Sequence, residues 1–182
     1  MNSYFNSAVL YKQKKPLKFT KVQLPILKKG QVLVKIIYSG FCSSQFGEIQ
    51  GLKGEDNYLP HFLGHEACAK VLSIGNKVKK VKKNDLVVIH WMKSKGIECE
   101  NICYRSNNGQ KINSGKVTTF SEFSVVSENR LTKVSKKKLN LKHLPLMGCS
   151  IPVSISTLEK VLKIKKKKNI LILGSGAIGL PM

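Results

Sequence analysis

The clearest stretch of the chain is 31–38, Gln-Val-Leu-Val-Lys-Ile-Ile-Tyr, entered from Lys28-Lys29-Gly30. Val and Ile are stiff at χ1 and pack well on a pleated surface, so this run predicts a strand. Residues 17–24 predict a weaker strand, closed by Pro25. A short apolar stretch at 69–74 ends at Gly75. The charged residues 78–83 then read as a turn, and 85–90 (Asp-Leu-Val-Val-Ile-His) resumes as a strand. Residues 91–117 are polar, with Gly96, Gly109, Gly115, Asn107, Asn108 and Asn113. They predict a long loop, and a loop of that length in a compact domain is usually functional or mobile. Alternation returns at 120–126.

The period then changes. Over 145–164, Ile155, Leu158, Val161 and Leu162 recur at three- and four-residue spacing, which predicts a helix. Residues 169–173 form an apolar run that predicts a buried strand, followed by Gly174-Ser175-Gly176-Ala177-Ile178-Gly179. The expected organisation is mainly β: a compact barrel-like domain over 1–145, then the helix, strand and glycine turn that open an α/β unit over 146–182. No internal repeat is visible.

Composition narrows the class. With 42% hydrophobic residues in 182, the chain is ordinary globular material. Lys plus Arg number 32 against 10 acids, a formal charge of +22. Only Arg105 and Arg130 are arginines, the residue suited to forked recognition of guanine and phosphate. The lysines cluster at 12–18, 77–83, 136–138 and 165–168, beside turn signals and without interleaved aromatics. They read as solvated surface, with non-specific, salt-sensitive attraction to polyanions and no specific nucleic-acid partner. No apolar run approaches the roughly 18 residues of a membrane span. The first ten residues lack the order of a signal peptide. Five cysteines are an odd number for a disulfide scaffold. A soluble, reduced, cytoplasmic chain without membrane contact is expected.

Two sets of residues carry chemistry. The first is the G-x-G-x-x-G of Gly174, Gly176 and Gly179, placed directly after an expected strand. Glycines there allow a tight turn and close approach of the backbone to a pyrophosphate. The acidic residue that holds the ribose about 20 positions further on falls beyond Met182, so this site is expected to be incomplete within the 182 residues. The second set is Cys42 with Ser44 after a strand, His65-Glu66 after Gly64, and Cys149 before the helical pattern. Two cysteines, a histidine and a carboxylate suit zinc. The ligands are far apart in sequence, so spacing alone equally allows buried thiols and a packed histidine.

Together these segments resemble a zinc-dependent medium-chain dehydrogenase of the alcohol dehydrogenase family. The matching pieces are 40–44, Gly64-His65-Glu66 with Gly75 and Val78, Asn84-Asp85, 115–123, Gly148-Cys149 and 174–179, in family order. The resemblance implies a GroES-like β-barrel catalytic domain followed by the start of a Rossmann domain. It implies one catalytic-type zinc held by Cys42, His65 and Cys149, with Glu66 a direct ligand or close beside it. Ser44 would hydrogen-bond the substrate alcohol and begin a proton relay, and Trp91 would line the substrate pocket. The cofactors implied are zinc and NAD or NADP, and the partners a small-molecule alcohol and, in a full-length chain, further copies of itself.

The chain departs from the family pattern in places. Gln45 stands where an acid often orients the histidine ligand, which lowers the expected zinc affinity. Gly47 stands where many members carry a relay histidine, Ala69 replaces a common glycine, and Pro152-Val153-Ser154 replaces a small or hydroxyl run beside the nicotinamide. Only Cys99 and Cys103 remain where a structural zinc lobe has four cysteines, too few for a closed site. The competing expectation is a truncated, non-catalytic zinc-binding remnant, and the 182 residues alone are expected to show no hydride transfer.

Overall fold

The structure, a computed structural model, describes residues 4–135, 139–165 and 168–182. Met1 and Lys136, Lys137, Lys138, Lys166 and Lys167, which belong to segments discussed above, lie outside the described residues. The elements in chain order are β1 (Tyr4–Leu10), β2 (Lys18–Gln23), β3 (Gln31–Ser39), α1 (Ser43–Ile49), β4 (His61–Phe62), β5 (Ala67–Ile74), β6 (Leu86–Ile89), β7 (Cys103–Arg105), β8 (Lys111–Asn113), β9 (Phe123–Ser127), β10 (Leu131–Lys133) and α2 (Ser150–Ser156).

The strands form two five-stranded sheets, ordered β2-β1-β4-β8-β7 and β10-β6-β5-β3-β9. The expected run 31–38 becomes β3, paired antiparallel with β5 on one side and β9 on the other. With neighbours on both edges, its backbone groups are satisfied and its valines can be buried. Val32, Val34, Val71, Val87, Ile89 and Val126 form the core beneath this sheet. Phe5, Val9, Val22, Phe62, Tyr104 and Ile112 form the core beneath the other. Residues 120–122 stitch the sheets together. Ala8 N–H donates to the Phe120 carbonyl, Glu122 N–H to Asn6, and Ile36 N–H to Glu122. This crossing curls the two sheets into a half-barrel.

Three expectations are corrected. The long loop 91–117 contains the short hairpin β7–β8, anchored by fully buried Tyr104 and Ile112, and Tyr104 Oη accepts the Val125 N–H at 3.0 Å. Its strands have three residues each, with one deeply buried side chain per strand, too little for a periodicity. Tyr4–Leu10, not assigned from sequence, is a strand because β2 and β4 flank it. The apolar run 169–173 is not a strand: it pairs with no strand among the described residues, and Leu171 and Leu173 are 84% and 88% exposed. Without a hydrogen-bonded neighbour on either edge, a β-branched run has nothing to form a ladder with. The helical pattern over 145–164 is realised in pieces: a 3₁₀ turn (Leu144–Gly148), α2, and a π-helical turn (Thr157–Val161).

Glu128 ties the barrel's loops together. This buried carboxylate accepts N–H groups from Lys79 (2.8 Å), Lys80 (3.0 Å) and Ile97 (3.0 Å). Burial acts to raise its pKa, but the three N–H donors and the Lys80 charge outweigh it and hold the carboxyl below its usual range.

Candidate metal centre

Three parts of the chain converge at one end of the barrel. Cys42 is the N-cap of α1, just past β3. His65 and Glu66 lie between β4 and β5. Cys149 follows the 3₁₀ turn Leu144–Gly148. The Cys42 sulfur, a His65 ring nitrogen and the Cys149 sulfur all lie within 4.8 Å of one another.

Glycines make this convergence possible. Gly64 has φ +89°, and a Cβ there would meet the Thr119 hydroxyl at 2.3 Å. Gly40 and Gly148 enclose Glu66 from two sides. A Cβ on Gly40 would sit 2.4 Å from Glu66 Oε1, and one on Gly148 would sit 2.3 Å from the Ile89 carbonyl and 3.0 Å from Glu66 Cβ. Absent side chains at both positions give the glutamate its space.

The electrostatics separate the two thiols. Burial acts to raise Cys42, but hydrogen bonds from the Ser44 hydroxyl, the Ser44 N–H and the Cys149 thiol hold it below the ordinary thiol range. Burial, then the neighbouring Cys42 and Glu66 charges, push Cys149 up to about 12, against a smaller opposing effect of the Trp91 side chain. Burial, reinforced by the Lys53 charge, lowers His65 and favours the neutral ring. Burial raises Glu66, partly offset by the Ser150 N–H. Without a cation the group therefore combines a thiol more readily ionised than its neighbour, an imidazole that favours its neutral form and a carboxyl that ionises reluctantly.

The residues fit a soft divalent metal. His65 Nε2 and Glu66 Oε2 are buried polar atoms without a hydrogen-bond partner. Buried polar groups are rarely left so, and a bound cation is one way to satisfy them. Two sulfurs and an imidazole are donors that zinc prefers.

The other predicted site residues are placed as follows. Ser44 lies in the first turn of α1, where it acts to lower the Cys42 thiol. Trp91 is half exposed, with its carbonyl receiving Arg130, and its side chain acts on Cys149; it is not among the residues lining the main cleft. That cleft, about 900 Å³, runs from Cys42, Glu66 and Cys149 past Phe41, Phe46 and Leu158 to Gly174, Gly176 and Gly179. Gly174 has φ +107°, and a Cβ on Gly179 would meet the Gly174 carbonyl at 2.1 Å, so the turn closes on itself. Ser154 fixes it to α2 by donating to the Ile178 carbonyl at 2.7 Å.

One group escaped the sequence reading. His61 Nδ1 donates to the Phe62 carbonyl at 2.8 Å, and its Nε2 lies 2.8 Å from Asp56 and 3.7 Å from Glu48. These residues share no motif, and only the fold brings them together. The pair ties the loop after α1 to β4.

Comparisons with known proteins agree with this arrangement. Residues 28–136 match the family of the alcohol dehydrogenase GroES-like domain. The chain belongs to that family. S-(hydroxymethyl)glutathione dehydrogenase of Escherichia coli (strain SMS-3-5 / SECEC) is 29% identical over 199 residues, covering 96% of this chain and 53% of the relative. This chain thus spans about half the length of the curated relatives it matches. Among solved structures, the alcohol dehydrogenase zinc-binding domain protein from Burkholderia ambifaria superposes with a TM-score of 0.86 at 19% identity, over 98% of this chain and 54% of that one. Benzyl alcohol dehydrogenase from Acinetobacter calcoaceticus gives 0.80 at 19% identity, over 98% and 54%. At these identities the structural matches establish the fold. Among the described residues, no helix is long and apolar enough to cross a membrane.

Proposed function

We propose that this chain is the metal-bearing part of a zinc-dependent oxidoreductase that moves hydride between a small alcohol and NAD or NADP. The observation that carries the reading is the convergence of Cys42, His65 and Cys149 from three separate parts of the fold, with His65 Nε2 buried and unpartnered. These three residues would hold zinc, with Glu66 alongside. Bound there, zinc supplies Lewis-acid polarisation of an alcohol oxygen and so eases its deprotonation.

The chain's own residues do the rest. The cleft beside the sulfurs is lined by Phe41, Phe46, Leu158 and Leu162, an apolar wall suited to the carbon skeleton of an alcohol. Ser44 would receive the alcohol proton. Gly174, Gly176 and Gly179 line the same cleft and would let the cofactor's pyrophosphate approach the backbone. The domain division at 145/146 follows this split between barrel and cofactor turn. We place the protein in the cytoplasm, where its five unpaired cysteines stay reduced. Self-association through the cofactor half is part of the same reading.

Native mass spectrometry tests the metal. The protein should carry one zinc, and Cys42→Ala should abolish stoichiometric binding. Unchanged metal content in Cys42→Ala would remove the assignment.

A further inference from the structure

The contact between α1 and His65 carries a consequence for the metal, resting on the reading just given. Gln45 is buried, 3% exposed, and both ends of its amide are engaged. Oε1 accepts the Cys42 N–H at 3.1 Å. Nε2 meets His65 Nδ1.

An amide nitrogen only donates. With the amide in this orientation, His65 Nδ1 is the ring nitrogen with the lone pair, and in the neutral ring the proton sits on Nε2. That nitrogen is buried and has no partner. A metal requires the opposite: a lone pair on Nε2 and the proton on Nδ1. Moving the proton would set an imidazole N–H against an amide N–H. Turning the amide over would relieve that clash, but would direct the amide nitrogen at the Cys42 N–H. One amide oxygen is thus called on by two donors, Cys42 N–H and His65 Nδ1–H, in the metal-bound state.

We propose that Gln45 is a positioning residue that holds His65 in the Nε2–H tautomer and thereby weakens the Cys42–His65–Cys149 site for its metal. The backbone of one ligand and the ring of another are coupled through a single side chain, so metal entry must rearrange both. A glutamate of the same length has an oxygen for each donor. It would favour the Nδ1–H tautomer and leave Nε2 free to ligate. Partners of ligating histidines change metal affinity by about 10–100-fold.

The test measures zinc affinity of the full chain at neutral pH by competition with a chromophoric chelator, in wild type and Gln45→Glu. It also records the ring ¹⁵N shifts of His65 in metal-free protein, assigned with His65→Gln. The expected result is binding about 10–100-fold tighter in Gln45→Glu, with the metal-free ring changing from Nε2–H to Nδ1–H. Equal or weaker zinc binding by a folded Gln45→Glu overturns this inference alone. Zinc bound by neither chain overturns the metal reading of the site and this inference with it. If Gln45→Glu does not fold, the metal-free wild-type ring decides: Nε2–H supports the proposal, and Nδ1–H ends it.

Discussion

Two apolar runs of this chain met different fates. Residues 31–38 and 169–173 both read as strands from their side chains. The first entered β3, with 31–34 buried; the second forms no strand, with Leu171 and Leu173 mostly in solvent. The difference lies at their edges. β3 has β5 on one side and β9 on the other, while 169–173 has no strand beside it among the described residues. An apolar run becomes a buried strand only where other segments satisfy its N–H and C=O groups. The barrel provides those segments.

That contrast can be broken or sharpened by substitution. Tyr104→Ala should cost most. It empties a fully buried position packed against Phe5 and Phe62 and removes the acceptor of the Val125 N–H, for about 3–5 kcal/mol by denaturant unfolding. Glu128→Gln comes next, at about 2–3 kcal/mol near neutral pH, because three backbone N–H groups lose the buried carboxylate they share. This cost should depend on pH. The folded pKa of Glu128 is depressed, so its contribution is fully present above the unfolded value of about 4.3 and is lost as pH falls through the folded value. Melting curves of wild type and variant should therefore converge as the solution is acidified below that window. Leu171→Ser should cost least, within about 0.5 kcal/mol, since the side chain is already exposed. A large loss there would mean that 169–173 is held by a partner and would dissolve the contrast.

The barrel's main strands were legible because they are long and β-branched. The members of the metal group were legible as residue types beside glycines, but their convergence was not, because His65 lies 23 positions after Cys42 and Cys149 lies 84 positions after His65. The hairpin β7–β8 was hidden by its brevity. The His61–Asp56–Glu48 group was hidden because it has no signature apart from the fold. The failed strand at 169–173 shows the limit from the other side: composition described the segment correctly, but pairing is a property of what lies beside it.

The crossing at 120–122 links the fates of the two sheets. Its hydrogen bonds join Ala8 and Asn6 in one sheet and Ile36 in the other to the same short segment. Neither sheet can open there without releasing its hold on the other. Amide hydrogens of Ala8, Ile36 and Glu122 should therefore exchange with solvent through one shared opening, at closely similar protection, and the half-barrel should come apart as a single foldon.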